Sequence, residues 1–134
     1  MSKVIVYYSA TGNTEDIANK IKSDLGCDIY NVQDIVVDDI LKYDTIIFGC
    51  PAMGVEELEE NTFRPFFDEF KSKASNKNIA LFGSFGWGDG EWMRSWSDEV
   101  REAGFNLVCD GLISNGDSSA LDSKDYNSFI SALK

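Results

Sequence analysis

Four short runs of apolar residues along the chain predict buried β-strands. They are rich in Val, Ile, Leu and Phe and do not alternate with polar residues, which is typical of strands covered on both faces of a parallel sheet. A weaker run, Asp28–Val32, alternates polar and apolar residues and predicts an edge strand. The four stronger runs are Val4–Tyr8, Thr45–Cys50, Asn78–Gly83 and Phe105–Cys109.

Segments with helical periodicity lie between the strands. The clearest is Thr14–Leu25, which Gly26 ends as a C-terminal cap. Its apolar stripe consists of Ile17, Ala18, Ile21 and Leu25. Asp34–Leu41 is ambiguous and could form a short helix. The other predicted helices are Phe63–Ala74 with Asn61 or Thr62 as cap, Glu91–Ala103 with Asp89 as cap and Gly104 as stop, and a last one from Asp122 or Ser123 to Leu133.

Strands that alternate with helices form βαβ units, and their right-handed crossovers produce a parallel sheet with helices on both faces. The 134 residues and 14.9 kDa suit one domain over residues 1–134, which can bury a core without disulfides or metal. The pattern therefore predicts an α/β protein, a single three-layer domain.

Charge and composition remove several classes of function. The 23 acidic residues exceed the 12 basic ones and give a net charge of −11, which disfavours nucleic acid and acidic membranes as partners. The absence of His excludes imidazole acid–base catalysis and His-ligated zinc. The three cysteines are odd in number and form no C-x-x-C motif. No apolar segment is long enough for a signal peptide or a membrane span, so we expect a cytoplasmic protein. We also expect no metal site.

The loop after the first strand has the composition of a phosphate-binding turn. It runs directly from a buried strand into a helix, where backbone N–H groups and the helix dipole favour an anion. It lacks the lysine of a Walker A loop and the glycines of a dinucleotide-binding turn. An ordinary capped turn would use the same residue types, and that alternative stays open. The loop is Ser9-Ala10-Thr11-Gly12-Asn13-Thr14.

Two further loops follow the third and fourth strands along the chain. One is Pro51-Ala52-Met53-Gly54-Val55-Glu56, with a thioether beside a glycine. The other is Ser84-Phe85-Gly86-Trp87-Gly88-Asp89-Gly90, where a Trp between two Gly is expected at the surface as a stacking platform. We assign Trp92 and Trp96, which lie four positions apart on a helix, to the core. Met53 and Trp87 could therefore enclose a flat ring.

With these motifs the chain resembles the short-chain flavodoxins, in the subgroup that places Met and Trp on the two faces of the flavin. The resemblance covers essentially all 134 residues. It implies a flavodoxin-like three-layer sandwich, with a five-stranded parallel sheet of order 2-1-3-4-5, and FMN at the switch point of the sheet. We also expect the chain to be a monomer.

The resemblance assigns parts of FMN to particular residues. The phosphate would lie on Ser9, Ala10, Thr11, Gly12, Asn13 and Thr14. The ring would contact the loop of Ala52, Met53, Gly54, Val55 and Glu56, with the Gly54 carbonyl near flavin N5 and Glu56 accepting from N3–H. Its outer face would meet Ser84, Phe85, Gly86, Trp87, Gly88 and Asp89, with Trp87 stacked on it.

The function implied is low-potential, one-electron transfer between the neutral semiquinone and the anionic hydroquinone of FMN, without a substrate of the protein's own. Implied partners are iron–sulfur oxidoreductases and ferredoxin-type reductases with basic docking patches. Two alternatives are a flavodoxin-like activator of a metalloenzyme and a small flavin-dependent reductase. A response-regulator receiver is excluded because Gly49-Cys50-Pro51 offers no acceptor Asp.

Two segments match the flavodoxin pattern poorly, and a third feature, an acidic run, lies beside the predicted ring loop. Val55 stands where this subgroup often has Asp, and Ser114-Asn115-Gly116-Asp117 is a weak match to the fourth contact region. The acidic run Glu56-Glu57-Leu58-Glu59-Glu60 is either a solvated loop and helix start or a rim that docks basic partners beside the flavin edge.

Overall fold

The structure is a computed structural model that describes residues 2–53, 57–86 and 88–134. It contains a parallel sheet of order β2-β1-β3-β4-β5, with β6 also paired to β4. The strands are β1 Lys3–Tyr7, β2 Asp28–Asn31, β3 Thr45–Gly49, β4 Asn78–Ser84, β5 Asn106–Leu107 and β6 Leu112–Ser114. The helices are α1 Asn13–Leu25, α2 Val37–Ile40, α3 Phe63–Lys73, α4 Glu91–Glu102 and α5 Ser123–Leu133. The predicted order 2-1-3-4-5 is confirmed.

Alternate residues of the central strands enter two cores, one on each face of the sheet. Val4 and Val6 of β1 pack with α2, α3 and α4, whereas Ile5 packs with α1 and α5. Both cores exclude water from the strands, since the side chains at positions 4, 5 and 6 are fully buried. This double burial is why the strand sequences show no polar alternation, and it makes the predicted three-layer sandwich correct.

The fifth strand differs from the prediction of one run over Phe105–Cys109. Ile79 of β4 pairs with Leu107, but Phe82 pairs with Leu112. The segment beside β4 therefore contains two more residues over this interval than β4 itself. The outer position is therefore divided into β5 and β6. At Gly111 an added Cβ would lie 2.5 Å from side-chain atoms of Met93 of α4, so a larger residue there would require the Met93 side chain to move.

Two of the predicted N-terminal helix caps are wrong and one is correct, while the predicted C-terminal cap Gly26 is confirmed at α1. The hydroxyl of Thr62 makes no capping bond at α3, and α4 begins after Gly90 without a side-chain cap from Asp89. Asp89 instead forms an exposed ion pair with Arg94 at 3.1 Å. At α5, Asp122 does accept from the backbone N–H of Asp125, at 2.9 Å. None of the helices in the described segments is long and apolar enough to cross a membrane.

Candidate functional site

Four loops meet at the carboxyl edge of the sheet, where ligands bind in open α/β folds. They follow β1, β3, β4 and β6, and a backbone hydrogen bond joins each of the first three loop starts to the neighbouring strand end. These bonds, each 2.9 Å, run from Tyr8 N to Gly49 O, from Ala52 N to Ser84 O, and from Phe85 N to Ser114 O. The sheet itself therefore fixes the spacing of the predicted phosphate and ring loops.

Ser9 organises the first loop through its hydroxyl oxygen. This oxygen accepts from the backbone N–H of Gly12 at 3.0 Å and of Glu15 at 3.2 Å. A hydroxyl has two acceptor lone pairs and one O–H donor. Because both lone pairs are engaged, the remaining hydrogen of Ser9 can only be donated, as an anion requires.

The start of α1 supplies the other donors of this loop. Gly12 adopts a left-handed conformation with φ 97°, and the first helical bond runs from Asp16 N to Gly12 O at 2.9 Å. The N–H groups of Asn13 and Thr14 precede that bond, so the helix does not use them. Ala10 and Thr11 are exposed beside them. Uncharged donors at the positive end of a helix dipole fit a phosphate group without lysine.

Thr14 connects the first loop to the end of β4. Its Oγ1 lies 2.8 Å from Ser84 Oγ, and the two side chains are only 1% and 5% exposed. Ser84 also accepts from the Ala52 N–H through its carbonyl. One residue of β4 thus contacts both the predicted phosphate loop and the loop after β3.

Two carboxylates of the first turn of α1 are bound by neighbouring elements. Tyr7 donates to Glu15 at 2.7 Å, and burial, followed by this bond, raises the pKa of Tyr7 to about 12. The backbone N–H of Ser118 donates to Asp16 at 2.9 Å. Hydrogen bonding by Ser118, from its side chain and then its backbone, holds the pKa of Asp16 below its usual range.

The segment after β6 was only a weak sequence match, yet it reaches the site through this bond. Ser114 donates through its hydroxyl to Asp117 O at 2.6 Å, which keeps the turn compact and brings Ser118 to α1. No local pattern signalled the contact, because Asp16 and Ser118 are distant in sequence.

The loop after β3 is closed by an antiparallel bridge between Met53 and Glu57. Each residue donates its N–H to the carbonyl of the other, at 2.8 and 2.9 Å. Met53 is half-buried at the site edge. The predicted contacts of Gly54, Val55 and Glu56 lie outside the described residues.

In the third loop, Phe85 is half-buried and packs against Trp92 with ring centroids 5.5 Å apart. Gly86 is exposed, as are Gly88, with φ 88°, and Asp89. The predicted stacking position of Trp87 lies outside the described residues. Trp92 and Trp96 are each 1% exposed, which confirms their assignment to the core.

A close approach of backbones fixes the base of the site. Trp92 donates its indole N–H to the carbonyl of Cys50 at 3.2 Å, and a Cβ built on Gly83 would lie 2.2 Å from that same carbonyl oxygen. Gly83 is therefore required so that β3 and β4 can end side by side. Burial raises the pKa of the Cys50 thiol to about 12, so it stays protonated at neutral pH.

Beside the loop after β3 lies a groove of about 570 Å³ between residues 57–60 and α4. Its carboxylates are Glu57, Glu60, Glu91 and Glu99, with Arg64 as the cation among its lining residues. Burial opposes ionisation of Glu99, but hydrogen bonds from Arg64 and Lys71 prevail and hold its pKa below the usual range. The groove presents mainly negative charge next to the predicted ring site.

Glu59 changes the interpretation of the acidic run. One sequence alternative placed the run at a solvated loop and helix start, and both expected it to face solvent, but Glu59 is 6% exposed and its side chain caps α3. Glu57 and Glu60 on either side are exposed. Glu59 therefore does not belong to the expected acidic rim.

Across the described segments there is no cluster of three or more Cys, Asp or Glu that could hold a metal ion.

Comparison with known proteins places these loops in a family context. The family model described as Flavodoxin matches residues 5–129. A flavodoxin from Megasphaera elsdenii is 40% identical over 126 residues, which cover 90% of this chain and 92% of that protein. A flavodoxin from Clostridium beijerinckii is 46% identical over 114 residues, or 81% of this chain and 83% of that one.

Solved structures agree with the sequence comparison. The solution structure of two-electron reduced Megasphaera elsdenii flavodoxin has a TM-score of 0.87 and 36% identity, and it covers 98% of this chain and 99% of that one. The oxidised Flavodoxin 2 from Bacillus cereus has a TM-score of 0.81 and 26% identity, over 99% and 97% of the two chains.

Proposed function

Because the chain belongs to the flavodoxin family of FMN-binding electron-transfer proteins, we propose that it carries single electrons at low potential and has no substrate of its own. Its cofactor is FMN, which supplies the redox chemistry, while the protein supplies binding and electrostatics. In this proposal the protein alternates between the neutral semiquinone and the anionic hydroquinone.

The observation that carries the proposal is the pair of contacts made by Ser84. Its hydroxyl meets Thr14 of the phosphate loop, and its carbonyl binds Ala52 of the loop after β3. A phosphate donor set and a ring loop are thus held at one fixed separation, as a nucleotide with a flat ring requires. The fit rests on the donor chemistry of residues 9–14.

We assign the phosphate to the first loop, with Ser9, Asn13 and Thr14 as donors, beside Ala10, Thr11 and Gly12. The ring lies between the second loop, represented by Ala52 and Met53, and the third, represented by Ser84, Phe85, Gly86, Gly88 and Asp89. The parts given to Gly54, Val55, Glu56 and Trp87 rest on the sequence motif alone.

The protein's charge bears on the second electron. A net charge of −11 disfavours a further negative charge, and each exposed carboxylate at about 10 Å contributes at most roughly 0.4 kcal/mol in water. Several such carboxylates line the groove beside the second loop. Their sum lowers the potential of the step that creates an anion.

Partners follow from the same surface. The groove suits proteins with basic docking patches, and we propose iron–sulfur oxidoreductases and ferredoxin-type reductases as donors and acceptors. The protein would act as a cytoplasmic monomer whose single domain spans residues 1–134, without nucleic acid or membrane as partner.

Anaerobic reductive titration of the FMN-loaded protein tests the function. We expect a long-wavelength semiquinone band that rises and then falls as electrons are added. Direct bleaching without that band would contradict one-electron transfer. Sustained NADPH oxidation by the protein alone would instead favour a reductase, and reactivation of a metalloenzyme without a stable one-electron state would favour an activator.

A further inference from the structure

Among the described residues of the acidic run, Glu59 is the buried carboxylate, and hydrogen bonds fix both its side chain and its backbone. Glu59 is 6% exposed, and its carboxylate accepts from three backbone N–H groups at and just before the start of α3. The bonds come from Asn61 at 2.9 Å, Thr62 at 2.8 Å and Phe63 at 2.6 Å. A carboxylate at a helix N-terminus satisfies donors that the helix leaves unused.

The backbone of Glu59 is anchored at both ends as well. Its N–H donates to the sulfur of Cys50 at 3.5 Å, at the end of β3, and its carbonyl accepts from Arg64 N at 2.9 Å. A buried charge is tolerated only while its hydrogen bonds are made. The residue is therefore confined to a single position relative to both β3 and α3.

This position matters because Glu57, two residues earlier, forms both bonds of the bridge with Met53. The upstream end of that loop is held independently, by the bond from Ala52 N to Ser84 O. Residues 57–59 are too few to let the downstream end move freely while Glu59 is fixed. The bridge thus depends on two anchors, one at Ser84 and one at Glu59.

We propose that Glu59 is a positioning residue for the loop after β3, which is the proposed flavin loop, and that it acts through its cap on α3 rather than through the charge it adds to the acidic surface. The role of that loop rests on the proposed function. The effect of Glu59 on the Met53–Glu57 bridge does not rest on that function, because the bridge forms between backbone atoms of the protein without a cofactor.

The test compares Glu59→Gln with two matched controls. Glu60→Gln removes the same charge from the exposed neighbour. Asp122→Ala removes a helix cap from α5, where Asp122 accepts from Asp125 N. Amide hydrogen exchange at Met53 and Glu57 in the apoprotein is the first measurement, and the Kd for FMN is the second.

We expect Glu59→Gln to speed exchange at both amides, and to raise the Kd for FMN, by about tenfold or more beyond the change in either control. If Glu59→Gln only lowers global stability, as Asp122→Ala does, with unchanged relative exchange at positions 53 and 57, Glu59 is a helix cap and nothing more. If Glu59→Gln does not fold, Glu59→Asp, which keeps the charge but shortens its reach, is compared in the same way. Failure of the unmodified protein to take up FMN would overturn the proposed function, while the exchange data would still decide this inference.

Discussion

The hydroxyl oxygens of Thr14 and Ser84 lie 2.8 Å apart in the interior, although the residues are separated by 70 positions in the sequence. One belongs to the first turn of α1 and the other ends β4. Removing either hydroxyl leaves the other buried without this partner, which costs about 1–3 kcal/mol. The pair therefore links the stability of the fold to the geometry of the site.

We expect Thr14→Val and Ser84→Ala each to lower the free energy of unfolding by about 1–3 kcal/mol, and the double variant to lose less than their sum. Urea unfolding of the four proteins measures the coupling. Ser97→Ala is the control, since the buried Ser97 hydroxyl donates to a helix carbonyl, Met93 O. Strict additivity for Thr14 and Ser84 would show that the contact contributes no coupling.

Ser9→Ala should weaken the binding of FMN more than the binding of riboflavin. The hydroxyl of Ser9 accepts from Gly12 and Glu15 and is left to donate, and a hydrogen bond to a charged acceptor contributes about 1.5–3 kcal/mol. The Kd for FMN should rise roughly 10- to 100-fold. Flavin fluorescence quenching gives both constants. Ser72→Ala is the control, since Ser72 donates to Glu69 O on α3. Equal losses for FMN and riboflavin would mean that Ser9 does not bind phosphate.

Gly83→Ala should prevent stable folding, whereas Gly86→Ala should not. A Cβ at Gly83 would lie 2.2 Å from the Cys50 carbonyl oxygen, but nothing lies within 4 Å of one at Gly86. We expect a loss of about 4 kcal/mol or more for the first and a small change for the second. Thermal unfolding of both variants decides this. Similar midpoints would show that β3 and β4 can separate at their ends.

Glu99 should make stability depend on pH below its ordinary pKa of 4.5. Its folded-state pKa is lowered, so its contribution is present above that value and is lost as the pH falls through the folded-state pKa. Glu99→Gln should lose about 1 kcal/mol at neutral pH and show a shallower decline in acid. Urea unfolding as a function of pH measures both. The exposed Glu102→Gln should follow the unmodified protein. Parallel pH curves for Glu99→Gln and the unmodified protein would contradict the shift.

Electron transfer to a basic partner should slow as salt is added, and Glu57→Gln with Glu60→Gln should weaken that dependence. Both carboxylates are exposed at the groove beside the flavin loop. Opposite charge accelerates encounter, and salt screens it. Stopped-flow rates against ionic strength provide the measurement. Asp122→Asn, on the distant α5 cap, serves as the charge control. Rates indifferent to salt would show that the rim only faces solvent.

Most of the fold could be predicted because its strands are buried on both sides. Continuous apolar runs such as Thr45–Cys50 are typical of strands in a covered parallel sheet, and helix ends such as Gly26 carry local signals. The division of the fifth strand could not be predicted in this way. Beside the division, Gly111 passes close to Met93 of α4, a contact between distant elements that no local pattern signals.

The sequence could nominate the donors proposed for a phosphate because they are adjacent in the chain, and their binding of phosphate stays a prediction. The acidic run does lie at a helix start, as one alternative expected, but the exposure expected of Glu59 was wrong. A Glu in an acidic run is usually solvated, and only the position of α3 shows that this one caps the helix. The bond between Asp16 and Ser118 is likewise tertiary. Local patterns identify donors, but they do not show which carboxylates are turned inward.

The break between β5 and β6 affects how the sheet meets other chains. An approaching strand would find the two residues Asn106–Leu107, then an offset, and then the three residues Leu112–Ser114. It could not pair with both segments in a single register. Interrupted sheet edges of this kind discourage edge-to-edge aggregation. This edge of the sheet therefore protects the protein from aggregation at high concentration without being covered by an extra helix.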